Sequence, residues 1–254
     1  MTATATAMER SVIEAGAFRS WAASHPGPVR AHNEDRFVNR PEAGLWAVAD
    51  GAGGHEAGQL AAAAVKEVLD AVPPDLPATD ALADVRARMA EVHARLRAEG
   101  ARRGGLVATT VVLLLVRDGH FVCLWAGDSR AYLLREGALV PLTRDHSLVR
   151  ELVDAGTIGA AEAERHPHAN VITRAVGAEA DGVELDKVTG ELQAGDRFLL
   201  CSDGLTKALD EAEVGALMGV ADDGPAERFV MAALARGAED NVTAVVVAMP
   251  GGNR

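Results

Sequence analysis

Short apolar, β-branched segments joined by tight turns constrain the fold of this chain more than any other feature of its sequence. Such segments are typical of buried strands, and they occupy residues 45–49, 109–116, 120–126, 131–135, 197–201 and 242–248. The turns RDG at 117–119 and REGAL at 135–139 are too short to hold a crossover helix. The strands that they join must therefore be antiparallel, which argues against an alternating series of parallel strands and helices.

Helical patterns lie early and late in the chain, on both sides of the hairpin-rich middle. We predict helices at 57–71, 79–103 and 225–236, the last with proline in its first turn and Gly237 at its end. A helix at 146–155 would be capped by Asp145 and closed by Gly156. This order predicts an α+β fold in which an antiparallel sandwich is flanked by helices.

Charge and hydropathy exclude several classes of partner and location. The 254 residues carry a net charge of −12, which argues against nucleic acid and against an anionic membrane surface. The most apolar window, 106–116, is far shorter than the roughly 20 residues that a spanning helix needs. Without a signal-peptide pattern, and with Cys123 and Cys201 each inside an apolar segment, we expect buried free thiols and a cytoplasmic protein.

The glycine-rich stretch LWAVADGAGGHEAG, residues 45–58, first suggests a phosphate-binding loop. The dinucleotide fingerprint fails because Glu56 stands where a third glycine is required. The Walker pattern fails because Gly58 is followed by Gln59 and not by lysine. The two remaining interpretations of this stretch are a metal site and an ordinary tight turn.

Aspartates at strand ends favour the metal site. Asp50, Asp128 and Asp203 each follow an apolar strand, and Asp240 precedes another. Glu34 and Asp35 stand just before a further apolar segment. Any one of these aspartates could be an ordinary turn residue. Several carboxylates brought together repel one another, however, and a buried cluster requires protonation or neutralising cations.

Hard divalent ions such as Mg²⁺ or Mn²⁺ are the natural counterions for such a cluster. A pair of these ions roughly 3.5–4 Å apart can activate a bridging water and hold a phosphoryl oxygen in line. Arg30 lies four residues before Glu34, and its forked guanidinium suits two oxygens of a phosphate. The spacing therefore predicts a two-metal hydrolase that acts on a phosphate ester.

An ordered set of motifs across residues 25–248 resembles the bacterial metal-dependent Ser/Thr protein phosphatases of the 2C type. The motifs are VRAHNEDRF, VADGAGGHEAG, ATTVVLLLV, WAGDSRAYLLREG, LTRDHSLV, ITRAVG, LLCSDGL and DNVTAVVV. The resemblance implies a four-layer α-β-β-α sandwich with Mn²⁺ or Mg²⁺ at one end of two central antiparallel sheets. It also implies hydrolysis of phosphoserine and phosphothreonine in proteins, with water as the nucleophile.

The resemblance also assigns metal ligands by position. Asp50 would bridge two tightly bound ions, Gly51 would lend a backbone carbonyl, and Asp203 and Asp240 would complete the direct protein ligands. Among these, Asp50 and Asp203 are expected to be catalytic.

The remaining site residues would act around that pair of ions. Glu34 and Asp35 would act through metal-bound water, and Arg30, also expected to be catalytic, would bind the substrate phosphate. Asp128, with Asp203, would hold a third, weaker ion.

Two departures from the family pattern concern catalysis and packing. Ala52 stands where animal members have a histidine proposed as general acid, so the proton donor for the leaving group is unassigned. Ala108 replaces the usual glycine, for which we expect only a packing consequence. His55, and the pair His166 and His168, are expected to be structural or solvent-exposed.

We expect one phosphatase domain at 16–250, a flexible N-terminal extension at 1–15 and a flap at about 146–170 beside the active site. The segment AERHPHANVITRAVG is similar to phosphatases associated with type VI secretion, which oppose a membrane-bound threonine kinase. The expected partners are phosphoproteins, a Ser/Thr kinase and its substrates, with the protein itself a monomer. The alternative is a catalytically inactive 2C-like module that binds a phosphoprotein or kinase. A regulator of a sigma-factor switch would use the same chemistry on a narrower substrate.

Overall fold

The computed structural model describes residues 7–15, 18–54, 56–163, 165–220 and 224–249. The strands are β1 (Glu9–Ala15), β2 (Phe18–His25), β3 (Arg36–Arg40), β4 (Leu45–Ala49), β5 (Gly51–Ala52), β6 (Ala108–Thr109), β7 (Val111–Arg117), β8 (His120–Ala126), β9 (Arg130–Arg135), β10 (Ala138–Pro141), β11 (Asp186–Glu191), β12 (Arg197–Cys201) and β13 (Val242–Ala248). The helices are α1 (Glu56–Asp70), α2 (Ala78–Arg103), α3 (Leu148–Asp154), α4 (Ala160–Ala163), α5 (Asp203–Thr206), α6 (Glu211–Gly219) and α7 (Pro225–Ala235).

Two antiparallel sheets form the centre of the fold. The first has the strand order β1-β2-β13-β12-β9-β10, and the second has the order β11-β8-β7-β4-β3. The short strands β5 and β6 pair separately. The turns at 117–119 and 135–138 close the hairpins β7–β8 and β9–β10, as their length predicts.

The alternation of side chains along each strand divides the apolar residues among three cores. Leu113 of β7 packs in the core between the second sheet and helices α1 and α2, whereas its neighbour Leu114 packs between the two sheets. Val245 of β13 also lies between the sheets, and Val246 faces the third core, which contains residues of α6 and α7. Three parallel cores require four layers, so the predicted α-β-β-α sandwich is confirmed.

The six strands expected from apolar segments are all present. Four of them keep the expected bounds, and the segment at 109–116 is divided at Thr110. The division arises because the Thr110 backbone N–H donates to the Asp50 carbonyl at 2.8 Å instead of to a partner within the second sheet. The three long helices begin and end within one residue of their expected positions.

The expected helix at 146–155 needs correction. It spans only Leu148–Asp154, and its N-cap is Ser147, whose side chain accepts a hydrogen bond from the Arg150 backbone N–H. Asp145 cannot cap this helix because both of its carboxylate oxygens bind Arg130, at 2.8 and 2.6 Å. A charged partner on β9 therefore outcompetes the local capping role.

The expected N-terminal extension also needs correction in its described part. Glu9–Ala15 forms β1, which pairs along its whole length with β2 at the edge of the first sheet. Small and polar side chains explain why β2 itself was missed: Ser20 and Ser24 are buried there and bind other buried polar groups instead of contributing to an apolar segment.

Cys123 and Cys201 are buried free cysteines, as the sequence predicts. Within the described residues, no helix combines the length and the apolar character needed to cross a membrane.

Candidate metal centre

Strand register places the predicted acidic residues at one end of the sandwich. β12 ends beside the start of β13 and of β9, so Asp203, Asp240 and Asp128 lie at the same end of the first sheet. In the second sheet β4 ends where β3 begins, which brings Asp50 beside Asp35. The β8–β9 connection links the two sheets at this end. The convergence inferred from the sequence is thus present in the fold.

Asp35 is the most deeply buried member of this acidic cluster. Its Oδ2 accepts hydrogen bonds from Ser202 Oγ at 2.7 Å and from Thr243 Oγ1 at 2.6 Å. Among the described residues, its Oδ1 has no hydrogen-bond partner although it is buried. Burial raises the pKa of Asp35 to about 7, against the opposing effect of the two hydroxyl donors. A buried carboxylate oxygen without a donor is a suitable ligand for a cation or for ordered water.

Asp50 and Asp128 experience the same crowding of charge. Burial raises the pKa of Asp50 well above its usual value, and the nearby charges, Asp35 first among them, raise it further. Burial also raises the pKa of Asp128 to about 7, with a second contribution from the charge of Asp203. The neighbouring carboxylates therefore oppose the ionisation of Asp50 and Asp128, so added positive charge near them would stabilise their ionised forms.

The backbone of Asp50 is fixed by two threonines. Thr109 Oγ1 and the Thr110 backbone N–H both donate to the Asp50 carbonyl at 2.8 Å, and the Asp50 N–H donates to Thr110 Oγ1 at 3.2 Å. These bonds hold the end of β4 in place while leaving the Asp50 side chain to face the other acids.

Two cations pair with acidic residues of the cluster. Arg30 Nη2 lies 2.8 Å from Asp240 Oδ2, and this hydrogen bond raises the pKa of Arg30. Lys207 Nζ lies 2.5 Å from Asp203 Oδ2. The other oxygen of Asp203, Oδ1, is buried and has no hydrogen-bond partner among the described residues.

Asn241, next to Asp240, fastens the loop that carries Arg30 and Glu34. Its Oδ1 accepts a hydrogen bond from the Glu34 N–H at 2.8 Å, and its Nδ2 donates to the carbonyls of Pro26 and His32 at 2.8 and 3.0 Å. One buried amide therefore binds the loop near its beginning and near its end, and it sets the position of Glu34 relative to the rest of the cluster.

The glycines of the opening motif allow close approach between backbones. A Cβ on Gly51 would collide with the carbonyl of Gly58 in the first turn of α1, and a Cβ on Gly58 would collide with Glu34 Oε2. Gly53 has a φ of +123°, which side chains rarely tolerate, in the turn that leads into α1. The motif thus brings the helix and Glu34 against the strand end that carries Asp50.

The donor chemistry of the cluster fits a hard divalent ion. Its candidate ligands are carboxylate oxygens with a glycine carbonyl alongside, and two of those carboxylate oxygens are buried without a donor among the described residues. In the described part of the chain, no three His, Cys, Asp or Glu side chains are yet grouped so that they could hold one ion. Asp240 instead pairs with Arg30, and Asp203 pairs with Lys207 through Oδ2. Ion binding would therefore need the acidic side chains to move together and Asp240 to leave Arg30, whereas Asp203 could keep Lys207 on Oδ2 and bind through Oδ1.

Several functional contacts were missed from the sequence. Ser202 and Thr243 have no special motif, and only their places beside two of the aspartates could have drawn attention to them. The contact of Lys207 could have been predicted, because a lysine four residues after Asp203 faces that aspartate if the segment between them is helical.

The described histidines do not add to the cluster. His55 lies outside the described residues. His168 is exposed, and its backbone N–H donates to His166 Nδ1 at 3.2 Å, which closes the local turn. Ala52 pairs with Ala108 across β5 and β6 and carries no group that could donate a proton.

A family model described as protein phosphatase 2C matches residues 29–244 of the chain. The chain belongs to the protein phosphatase 2C family. The matched range includes every acidic residue of the cluster and Arg30, so the family resemblance inferred from the motifs is confirmed.

Relatives with curated names and solved structures agree with this assignment. Serine/threonine protein phosphatase PstP of Mycobacterium tuberculosis is 40% identical over 230 residues, which are 89% of this chain and 44% of PstP. The chain therefore spans less than half the length of that relative.

Two solved structures are similar to this chain over almost their whole length. PppA, described as a key regulatory component of the type VI secretion system in Pseudomonas aeruginosa, is 42% identical with a TM-score of 0.84, covering 92% of this chain and 98% of its own. The catalytic domain of PstP, solved in complex with two manganese ions, is 35% identical with a TM-score of 0.82, covering 92% and 98%. The 2C-type fold is thus shown by solved structures as well as by the motifs.

Proposed function

We propose that this 2C-family chain is a metal-dependent phosphatase that removes phosphate from phosphoserine and phosphothreonine in proteins. The observation that carries the proposal is the convergence of five aspartates at one end of the sandwich, where the charges of the other four raise the pKa of Asp50, with Arg30 beside them. The two manganese ions of the PstP catalytic domain support the same chemistry, since that domain shares this fold.

The ligands proposed for two Mn²⁺ or Mg²⁺ ions are Asp50, the carbonyl of Gly51, Asp203 and Asp240. When bound, such ions lower the pKa of water and stabilise negative charge on phosphoryl oxygens. Asp203 is suited to this role because its buried Oδ1 has no donor among the described residues.

Two further acids complete the proposed surroundings of the ions. Glu34 and Asp35 would hold water between themselves and the metal. Asp35 fits this role because Ser202 and Thr243 fix one of its oxygens and leave Oδ1 without a donor among the described residues.

Arg30 is the proposed phosphate-binding residue. Its side chain is 56% exposed, and its ion pair with Asp240 is correspondingly weak in water, worth about 0–1 kcal/mol. A phosphate dianion offers two oxygens to the guanidinium fork, so exchange of Asp240 for substrate costs little. The same exchange releases Asp240 to bind an ion.

We also propose a class of substrate and a partner for this activity. The 42% identity to PppA supports a phosphoprotein of a type VI secretion pathway and an opposing Ser/Thr kinase. The segment at about 146–170, built around the short helices α3 and α4, is the proposed flap for substrate selection. A cytoplasmic location and a monomeric state remain predictions.

The rival hypothesis is an inactive 2C-like module that binds phosphoproteins without hydrolysing them. Retention of Asp50, Asp203, Asp240 and Arg30 argues against it, since a dead member would be expected to lose metal ligands.

The purified chain should hydrolyse p-nitrophenyl phosphate and a phosphothreonine peptide with Mn²⁺, and EDTA should abolish both activities. Asp203→Asn should lower kcat at least about 100-fold because it removes a charged ligand while keeping the shape of the side chain. Asp118→Asn is the matched control. Asp118 lies in the β7–β8 turn, at the end of these two strands that is far from the acidic cluster, so the substitution should leave kcat unchanged. Wild-type protein that binds Mn²⁺ yet hydrolyses neither compound would favour the inactive module.

A further inference from the structure

Lys207 is a cation of this chain's own sequence that lies against the acidic cluster. The four-residue helix α5 begins at Asp203, and the Lys207 backbone N–H donates to the Asp203 carbonyl at 2.8 Å. One helical turn therefore separates the two side chains and brings Nζ to 2.5 Å from Asp203 Oδ2. The lysine binds one oxygen of Asp203 and leaves Oδ1, which is buried and has no donor among the described residues.

The charge of Lys207 acts on more than Asp203. The ammonium also interacts favourably with the negative charges of Asp128 and Asp240. Lys207 is thus electrostatically shared by Asp203 and Asp128, the two residues expected to hold a third ion.

The balance of charge in the site also argues against a third ion between Asp128 and Asp203. Two divalent ions, Arg30 and Lys207 together neutralise the six acidic side chains of the site when all are ionised, namely Glu34, Asp35, Asp50, Asp128, Asp203 and Asp240. A third divalent ion would leave the site with an excess of positive charge and would stand next to the ammonium. The ammonium would repel a divalent ion placed beside it, and this repulsion would weaken the binding of that ion.

We propose that the ammonium of Lys207 takes the place of a third metal ion between Asp128 and Asp203, so that this chain binds two divalent ions. The inference rests on the proposed function only in taking Asp50, Asp203 and Asp240, with the carbonyl of Gly51, as the ligands of the two ions. Lys207 acts through Asp128 and Asp203 and is a positioning residue.

Counting bound Mn²⁺ tests the proposal without an activity assay. Equilibrium dialysis, with free Mn²⁺ measured by electron paramagnetic resonance, should give two ions per chain for the wild type and three for Lys207→Met. The added ion should bind at least about tenfold more tightly than any third ion of the wild type, because a neighbouring positive charge has been removed. In the Lys207→Met background, Asp128→Asn should return the count to two.

Three control variants separate charge from structure. Lys207→Arg keeps the cation and should keep two ions, whereas Lys207→Gln removes the charge with a polar side chain and should give three. Lys66→Met removes the lysine of a similar i,i+4 pair, with Nζ 2.7 Å from Asp70 on α1, and should leave two ions.

The proposal is overturned if Lys207→Met and Lys207→Gln bind the same number of ions as the wild type with the same affinities. It is also overturned if the added ion survives Asp128→Asn. A wild type that binds no Mn²⁺ would contradict the proposed function and the count of two ions. A Lys207→Met variant of that protein that gains one Asp128-dependent ion would still support the exclusion of an ion by Lys207. Absence of Mn²⁺ binding in every variant would contradict both.

Discussion

At the scale of single residues, the site depends on carboxylates held where water cannot fully solvate them. Asp35 illustrates the cost, because it is almost completely buried and, within the described residues, its side chain accepts hydrogen bonds from two hydroxyls and from no cation. Asp196 is equally buried but binds both Nε and Nη2 of Arg135, at 2.8 and 2.6 Å. Only the second charge is neutralised inside the protein, so the two buried aspartates should respond oppositely to removal of their charge.

Folding raises the pKa of Asp35 to about 7, so the folded state binds its proton more tightly than the unfolded state does. The metal-free protein should therefore lose stability as the pH rises from about 4 to about 7. Asp35→Asn removes the charge and keeps an acceptor for Ser202 and Thr243. We expect it to raise the Tm of the metal-free protein at pH 8, by about 2–4 °C for each kcal/mol gained, and to have little effect at pH 5.

Thermal unfolding in EDTA at the two pH values checks this expectation. Asp196→Asn is the control, and it should lower the Tm at pH 8 because Arg135 loses its charged partner. A decrease in Tm for Asp35→Asn at pH 8 would show that the buried charge is compensated within the protein.

At the scale of elements, the site depends on how a loop is attached to a strand. The connection from β2 to β3 carries Arg30 and Glu34 but has no regular structure in its middle. Asn241, just before β13, holds it through three hydrogen bonds. The amide thereby couples the strand end that carries Asp240 to the loop that carries Arg30, the proposed phosphate-binding residue.

Asn241→Ala should lower the free energy of unfolding by about 2–3 kcal/mol, because buried loop groups lose their partners. It should also raise KM about tenfold, since Arg30 would no longer be held near the site. Asn39→Ala is the matched control: Asn39 is a buried asparagine that binds Ser20 and Ser11 at the other end of β3. We expect it to destabilise the fold while leaving KM unchanged. Steady-state kinetics and urea unfolding check both variants, and an equal effect of both on KM would contradict the positional role.

Apolar sequence periodicity predicted the elements whose strands are apolar throughout, such as β7 and β13. It could not predict β2, where buried Ser20 binds Asn39 of the other sheet and buried Ser24 binds Thr243 of the neighbouring strand β13. It also misplaced the cap of α3, because Asp145 has a stronger partner 15 residues away on β9. Local sequence patterns predict an element reliably where its residues are uniformly buried, and they fail where a long-range polar contact determines the local structure.

The acidic cluster shows the same limit. The positions of Asp50, Asp203 and Asp240 at strand ends could be read from the sequence, since each stands beside an apolar segment. The partners that neutralise or orient these acids could not, because Ser202, Thr243 and Lys207 come together with them only through the pairing of strands and the turn of α5.

At the scale of the whole molecule, three apolar cores stabilise the four layers and leave one end of the sandwich for charge. The acids come from both sheets, so the cluster exists only when the sheets are packed together. The excess of acidic residues in the chain, with a net charge of −12, makes bound cations all the more favourable at this end.

Anomalous diffraction from crystals grown with Mn²⁺ tests the central claim most directly. We predict two manganese peaks within the cluster, bound by Asp50, Asp203 and Asp240, with Arg30 released from Asp240 and Lys207 still on Asp203. A crystal of protein that hydrolyses a phosphothreonine peptide with Mn²⁺, but shows no manganese at Asp50, would contradict the account.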